Sequence, residues 1–143
     1  AFETAVYRRL GELEVADQLA AARWLQAQPW IDPDRIAVYG GSYGGYMTLL
    51  LMLRAPETFR AGIAYAPVTD WRLYDTIYTE RYMDTPEDNP EGYETSAPLT
   101  WADNLEGALL IAHGSMDNNV HLQNTLQLID RLAVPGQALI DIS

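Results

Sequence analysis

The chain has 143 residues, 48% of them hydrophobic, so its length and composition are those of one globular domain rather than of a disordered segment. Its 20 acidic residues outnumber its 9 basic ones, and the formal charge of −11 argues against nucleic acid or anionic membranes as principal partners. The absence of cysteine excludes a disulfide framework, a cysteine-ligated zinc site and a thiol nucleophile. Every basic residue is arginine, which also excludes Schiff-base and Ser–Lys chemistry.

We expect no targeting signal at the start of this sequence. It begins at Ala1 rather than Met, and no basic and then apolar leader follows. No apolar run approaches the roughly 18 residues of a membrane-spanning helix. We therefore expect a processed or excised piece of a longer protein without a membrane segment of its own, and the compartment stays open.

The first predicted element is an amphipathic helix over 12–28. Apolar residues recur at every third or fourth position from Val15 to Leu25, and Pro29 ends the pattern. A short apolar strand is predicted over 36–39, followed by a glycine-rich turn. The almost wholly apolar stretch 46–53 is then typical of a buried helix.

The second half of the chain continues the alternation. Strands are predicted over 61–66, 108–112 and 138–142, with a helix over 120–133 before the last of them. In that helix one apolar face is predicted from the spacing of Val120, Leu122, Leu126, Ile129 and Leu132. Apolar strands that alternate with helices indicate an α/β fold, a mostly parallel sheet with helices on both faces.

Residues 67–107 form an insertion that is too long for an ordinary connection between strands. It is rich in aromatic residues, namely Trp71, Tyr74, Tyr78, Tyr82, Tyr93 and Trp101. Because α/β folds bind ligands at the carboxyl ends of their strands, the insertion is predicted to form part of a substrate pocket. The alternative is that these aromatic residues only fill the core.

The turn Gly40-Gly41-Ser42-Tyr43-Gly44 matches Gly-x-Ser-x-Gly and lies between a predicted strand and a predicted helix. This context is that of a nucleophile elbow, in which Gly40 and Gly44 avoid Cβ collisions with the neighbouring strand and helix. Ser42 is then the candidate nucleophile, and the backbone N–H of Tyr43 is the candidate oxyanion donor. The alternatives are a glycine-rich phosphate loop or an ordinary helix start capped by Ser42.

A serine nucleophile needs a histidine base and a carboxylate that orients it. Asp117, which follows the strand 108–112, is the candidate acid, although the same position also suits a helix N-cap. Of the two histidines, His113 is interpreted as a hydrogen-bonded structural residue and His121 as a residue of the helix surface. The base is expected in a loop after the strand 138–142, so neither histidine is assigned to it.

Several stretches together resemble the prolyl oligopeptidase family of serine peptidases, and within it the dipeptidyl peptidase IV branch. They are Gly-Gly-Ser-Tyr-Gly-Gly-Tyr at 40–46, Ala-Pro-Val at 66–68, Trp71, Tyr-Asp-Thr-Ile-Tyr-Thr-Glu-Arg-Tyr-Met at 74–83 and His-Gly-Ser-Met-Asp-Asn-Asn-Val-His at 113–121. The resemblance covers nearly the whole chain and implies a partial α/β-hydrolase fold.

The resemblance implies a role for particular residues. Ser42 matches the nucleophile, Asp117 the triad acid and the Tyr43 amide an oxyanion donor. A pocket for a substrate proline is implied, with walls formed by Val68, Trp71, Tyr74, Tyr78 and Val120. Asn119 matches a residue that binds the substrate backbone, and Arg81 matches an arginine of the same polar cluster. No cofactor or metal is expected.

The implied activity is the release of N-terminal dipeptides after Pro or Ala from peptide substrates, and a homodimer is implied by family analogy only. The 143 residues alone are expected to be inactive, because the triad histidine, the second oxyanion donor and the substrate-anchoring β-propeller of the family have no match among them. The alternatives are an acylaminoacyl peptidase or esterase on the same fold, or a non-catalytic fragment.

Overall fold

The computed structural model describes residues 4–132 and 138–141. The helices and strands, in chain order, are α1 (Glu12–Gln26), β1 (Ala37–Gly41), α2 (Tyr43–Arg54), β2 (Ala61–Tyr65), α3 (Thr76–Met83), α4 (Pro90–Ser96), β3 (Ala108–Ala112), α5 (Gln123–Leu132) and β4 (Ala138–Asp141). Two 3₁₀ segments, Trp71–Leu73 and Pro98–Asn104, lie with α3 and α4 in the insertion between β2 and β3. Residue 133, the predicted end of the last helix, and residue 142, the predicted end of the last strand, lie outside the described ranges.

The strands form one parallel sheet in the order β1-β2-β3-β4, which confirms the predicted α/β class. Gly41 lies opposite Tyr65, and Tyr65 lies opposite Ala112, so the first three strands end at one edge. The ladder continues one step further, because Ser42 N donates to Tyr65 O at 2.8 Å and Ala66 N donates to Ala112 O at 2.8 Å. The loops that follow these strands therefore begin side by side.

The two faces of the sheet differ in their surroundings. One face packs against α2, and its residues Ala64, Leu109 and Ile111 are buried. On the other face Tyr39 is 85% exposed and Ile63 is 49% exposed. The sequence predicted helices on both faces, whereas residues 4–132 place them over one. Right-handed crossovers between strands in sequential order all return on the same side of the sheet, which explains the difference.

Helix α2 is the centre of the core. It begins at Tyr43, three residues before the predicted start, and its buried residues are Gly45, Tyr46, Thr48, Leu49, Leu50, Leu51, Met52 and Leu53. Burial of each leucine contributes roughly 1.5–3 kcal/mol before entropy is subtracted. In the part of the chain that the structure describes, no helix combines the length and apolar character needed to cross a bilayer.

Helix α1 agrees with its prediction over most of its length and ends two residues early, at Gln26. Val15 and Ala22 are buried as the apolar spacing indicates. Leu25 is 37% exposed and Trp24 is 62% exposed, so the last turn of the helix packs less well than the pattern predicts.

The predicted apolar face of α5 is only partly right: Val120 and Leu132 are buried, but Val120 lies before the helix, which begins at Gln123. Leu126 is 45% exposed, while the polar side chains of Asn124 and Thr125 are completely buried. Asn124 Oδ1 accepts a hydrogen bond from Thr69 N at 2.9 Å, and Thr125 Oγ1 lies 2.7 Å from His113 Nδ1. Burial of these polar groups is tolerated because each finds a partner on another segment.

Candidate active site

Ser42 forms the whole connection between β1 and α2. Its backbone has φ 53° and ψ −120°, a conformation that a residue with a side chain rarely adopts. Such strain costs about 1–3 kcal/mol and clusters at functional sites. The exposed Ser42 side chain therefore stands at the carboxyl edge of the sheet, in the strand–turn–helix setting that a nucleophile elbow needs.

Two glycines permit this tight turn. One is Gly40, as predicted, and the other is Gly45 rather than the predicted Gly44. A Cβ at Gly40 would lie 2.4 Å from Gly44 O, as expected for close approach of strand and helix. A Cβ at Gly45 would lie 2.7 Å from Tyr65 O, whereas one at Gly44 meets no described atom within 4 Å. The expectation for Gly44 is thus wrong, and Gly45 is the residue that allows α2 to approach β2.

The start of α2 leaves the Ser42 hydroxyl uncommitted. Ser42 is the N-cap residue, but its side chain makes no capping hydrogen bond. This geometry differs from that of an ordinary capping serine, whose hydroxyl accepts from a helix N–H. Tyr43 is the first residue of α2, and amides at a helix N-terminus favour negative charge nearby.

Asp117 organises the loop after β3. Its Oδ1 accepts hydrogen bonds from Asn119 N at 2.9 Å and from Val120 N at 3.0 Å. These bonds close a turn that ends before α5 begins at Gln123, so Asp117 does not cap that helix. Its second oxygen, Oδ2, accepts no hydrogen bond from the described residues and lies 3.8 Å from His113 Nε2.

His113 is a structural residue, as the sequence analysis predicted. It is completely buried, and its Nε2 lies 2.7 Å from Val120 O. Since a carbonyl oxygen only accepts, Nε2 carries the proton and Nδ1 accepts from the Thr125 hydroxyl at 2.7 Å. Both ring nitrogens are therefore occupied, and His113 has no free position from which to act as a base.

His121 is exposed and lies just before α5 rather than in its first turn. Its backbone carbonyl accepts a hydrogen bond from Asn124 N at 3.0 Å. The side chain has no hydrogen-bond partner among the described residues. Its position agrees with the predicted surface role.

An aromatic cluster follows the elbow, with neighbouring ring centroids 4.9 to 6.0 Å apart. Its members are Tyr43, Tyr46, Trp71, Tyr74, Tyr78 and Tyr82. Trp71 is 1% exposed and stacks on Tyr78 at 5.9 Å, while Tyr74 and Tyr78 are half-buried at the open side. The cluster brings together three of the residues predicted to line the pocket.

The side chains of Tyr43 and Tyr46 were not predicted as part of this cluster, and Tyr82 was predicted only as one of the aromatic residues of the insertion. Their spacing carries the signal, because Tyr43 and Tyr46 are three residues apart in α2 and Tyr78 and Tyr82 are four apart in α3. Residues at these separations lie on one helix face. The remaining predicted wall residues, Val68 and Val120, are each 2% exposed.

A polar group adjoins the cluster at Asn119. The Tyr74 hydroxyl donates to Asn119 Oδ1 at 2.9 Å, so the amide orientation is set from the aromatic side. Arg81 is exposed, and its guanidinium lies 5.5 Å from the centre of the Tyr82 ring. No hydrogen bond or ion pair joins Arg81 to Asn119 within residues 4–132. Asn119 therefore lies beside the aromatic cluster as expected, but Arg81 does not contact Asn119.

Burial shifts the acidity of the clustered tyrosines. Desolvation raises the pKa of Tyr43 above its ordinary value, and the hydrogen bond to Glu14 raises it further. Desolvation likewise raises the pKa of Tyr46 and of Tyr78. These hydroxyls stay protonated at neutral pH and act there as hydrogen-bond donors.

The cluster borders a cavity of about 150 Å³ inside the insertion. Trp71 and Tyr74 form one of its walls, and Thr79, Glu80 and Tyr93 contribute to the others. Between residues 4 and 132, no three His, Asp or Glu side chains come together as a metal-binding group.

The sequence model of the prolyl oligopeptidase family matches residues 1–142. A probable dipeptidyl-aminopeptidase B of Grosmannia clavigera is 53% identical over 137 residues, which cover 94% of this chain and 14% of the relative. The corresponding protein of Arthroderma gypseum is 51% identical over 137 residues, covering 94% of this chain and 15% of the relative.

A solved structure shares the fold. Dipeptidyl peptidase 4 of Porphyromonas gingivalis superposes with a TM-score of 0.91 at 48% identity, over 98% of this chain and 20% of that one. The chain thus spans about one-seventh of the length of these curated relatives. The family match, the relatives and the fold agree, and the chain belongs to the prolyl oligopeptidase family.

Proposed function

We propose that the intact protein containing these residues is a serine peptidase that releases N-terminal dipeptides after Pro or Ala. The observation that carries this proposal is the backbone of Ser42, with φ 53° at the junction of a parallel strand and a buried helix. Strain of this kind exposes a nucleophile above the sheet edge. The names of the similar proteins support the substrate class, because they are dipeptidyl peptidases and dipeptidyl-aminopeptidases.

In the proposed reaction, Ser42 Oγ attacks the scissile carbonyl carbon and transfers its proton to a histidine base. The Tyr43 backbone N–H donates to the oxygen that becomes negative in the tetrahedral intermediate. Asp117 orients the imidazole through Oδ2, while its Oδ1 is held by the amides of Asn119 and Val120. We place the base outside these 143 residues, because both nitrogens of buried His113 are occupied and His121 lies on the surface just before α5.

The proposed specificity comes from the aromatic cluster and the insertion 67–107. Trp71, Tyr74 and Tyr78 form a wall for the proline ring, which buries apolar area and has no N–H to satisfy. Val68 and Val120 complete the proposed pocket. Because the Tyr74 hydroxyl donates to Asn119 Oδ1, the Asn119 amide nitrogen is free to donate to a substrate carbonyl.

Arg81 is proposed as the second member of this polar group. It is exposed at the end of α3, so its side chain is free to turn toward a bound peptide. A homodimer is proposed by family analogy. Light scattering on the purified intact protein tests it, and a monomer mass over the working concentration range contradicts it.

The test of the proposed function uses the intact protein and three chromogenic amides. Hydrolysis of a Gly-Pro amide should exceed that of a Gly-Ala amide, and an N-acetylated Ala amide should not react. Ser42→Ala should abolish turnover and labelling by a fluorophosphonate probe. Ser115→Ala is the matched control, because Ser115 is also exposed in a loop at this edge of the sheet.

Other outcomes separate the alternatives. Preference for the acetylated amide or for a short ester supports an acylaminoacyl peptidase or esterase on the same fold. Absence of labelling and of turnover in the intact protein supports a non-catalytic role. The 143 residues alone are expected to give no turnover, and Ser42-dependent hydrolysis by them contradicts the assignment of the base.

A further inference from the structure

We propose that Glu14 is a positioning residue for the elbow, tying the first turn of α1 to the residue that follows the nucleophile. The inference rests on the proposed function, since it concerns the efficiency of the same site. Glu14 lies outside the insertion, the elbow and the acid loop.

Both oxygens of the Glu14 carboxylate accept hydrogen bonds. Oε1 accepts a hydrogen bond from the Tyr43 hydroxyl at 2.5 Å, across 29 residues of chain. Oε2 accepts from Gly11 N at 3.1 Å. A hydrogen bond from a hydroxyl to a carboxylate is short and among the stronger ones that proteins make.

The start of α1 is in turn fixed against α2. Gly11 has φ 84°, and a Cβ there would lie 2.3 Å from Leu50 Cδ1 and 2.5 Å from Tyr46 Oη. The Tyr46 hydroxyl donates to Leu10 O at 3.0 Å. The turn that carries Glu14 therefore packs tightly against α2, and this packing holds the Glu14 carboxylate in place.

The anchored Tyr43 connects to the two parts of the proposed site. Its backbone amide is the proposed oxyanion donor, next to the strained Ser42. Its ring lies 5.7 Å from the ring of Trp71, which stacks on Tyr78 in the proposed pocket wall. Loss of the Glu14 contact therefore frees the Tyr43 side chain and loosens both the wall and the start of α2.

The hydroxyl of Tyr43 remains a hydrogen-bond donor throughout the physiological pH range. Burial and the Glu14 carboxylate both raise its pKa, so it remains protonated and keeps donating. No second carboxylate accepts from Tyr43 within the described residues.

The test is a double-mutant cycle in the intact protein, with active sites counted by a fluorophosphonate. Glu14→Ala and Tyr43→Phe should each lower kcat/KM for the Gly-Pro amide by about ten-fold per titrated site. Glu14→Ala in the Tyr43→Phe background should have less than about a two-fold further effect. Glu14→Gln should return to within about three-fold of wild type, because the amide oxygen still accepts from Tyr43.

Asp17→Asn is the control, since Asp17 is exposed one turn further along α1. It removes the same charge and should change kcat/KM by less than about two-fold. A purely structural role for Glu14 would lower the number of titrated sites without changing kcat per site. That result, or additive effects of Glu14→Ala and Tyr43→Phe on kcat/KM, overturns the proposal.

Failure of the proposed function would be recognised separately. If wild type cleaves none of the amides, the proposed function is wrong. The contact is then tested by thermal unfolding of wild type, Glu14→Ala, Tyr43→Phe and the double variant. Non-additive shifts of the midpoint support the Glu14–Tyr43 link. Additive shifts overturn it whatever the reaction.

Discussion

A single methyl group at position 40 tests whether the elbow depends on the close approach of β1 and α2. In Gly40→Ala the new Cβ would lie 2.4 Å from Gly44 O and 2.5 Å from Gly44 C, where ordinary contacts are 3.4–4 Å. Both atoms belong to the backbone, so no side chain can rotate away. The start of α2 must then move by roughly 1 Å relative to the strand.

The expected cost follows from that displacement. Overpacking of this kind costs about 1–3 kcal/mol, and we expect a value near 3 kcal/mol because the obstruction is backbone. A shift of about 1 Å at the Ser42 turn should lower kcat/KM by about 100-fold, since reacting groups tolerate little misplacement.

Urea unfolding at 25 °C and kcat/KM per folded protein measure the two effects. Gly44→Ala is the stability control, because its Cβ meets no described atom within 4 Å. Its free energy of unfolding should stay within about 0.5 kcal/mol of wild type. If Gly40→Ala is as stable as Gly44→Ala, the elbow does not rely on the glycine at position 40.

Three further predictions concern the acid, the core and pH. Asp117→Asn keeps an oxygen for the amides of residues 119 and 120 but misorients the base, so kcat should fall about 10⁴-fold while circular dichroism is unchanged; retained kcat contradicts the role of the acid. Asn124→Ala leaves the buried Thr69 N unpaired and should cost about 1–3 kcal/mol in urea unfolding, whereas a neutral result contradicts the assigned bond. Burial raises the pKa of Tyr43 and Tyr46 in the folded state, so above about pH 10 the unfolded chain loses these protons first. Stability is then complete below pH 10 and falls above it, and Tyr43→Phe should reduce the loss measured between pH 9 and pH 11.

Two strands beside the site could be predicted closely because their signals are local, whereas β1 begins and ends later than the predicted strand 36–39. The strand 108–112 was predicted with its observed ends, and the predicted strand 61–66 is one residue longer than β2. Short apolar runs bounded by Pro, Gly and charged residues specify such strands without tertiary information. The signal for the elbow is equally local, since Gly-x-Ser-x-Gly between a strand and a helix predicts the tight strand–turn–helix connection.

Helix α5 shows where local patterns fail. Spacing alone placed Leu126 on the apolar face and gave no reason to bury Asn124 and Thr125, yet Leu126 is exposed and the other two are buried. A polar residue can be buried only if it finds a partner, and here the partners lie outside the helix: Thr69 is 55 residues from Asn124, and His113 is 12 residues from Thr125. The spacing of apolar residues along one helix does not show which residues elsewhere will form hydrogen bonds with it.

The sequence by itself determined the family, the parallel α/β sheet and the serine at the elbow, since each follows from motifs and apolar runs that can be recognised along the chain. Only the tertiary structure decided that Gly45 rather than Gly44 permits the approach to β2, that helices cover one face of the sheet in residues 4–132, and that Glu14 holds Tyr43. These outcomes depend on distances between atoms that are remote along the chain. A pattern along one segment reports its conformation and average burial, but not which atoms of another segment it meets.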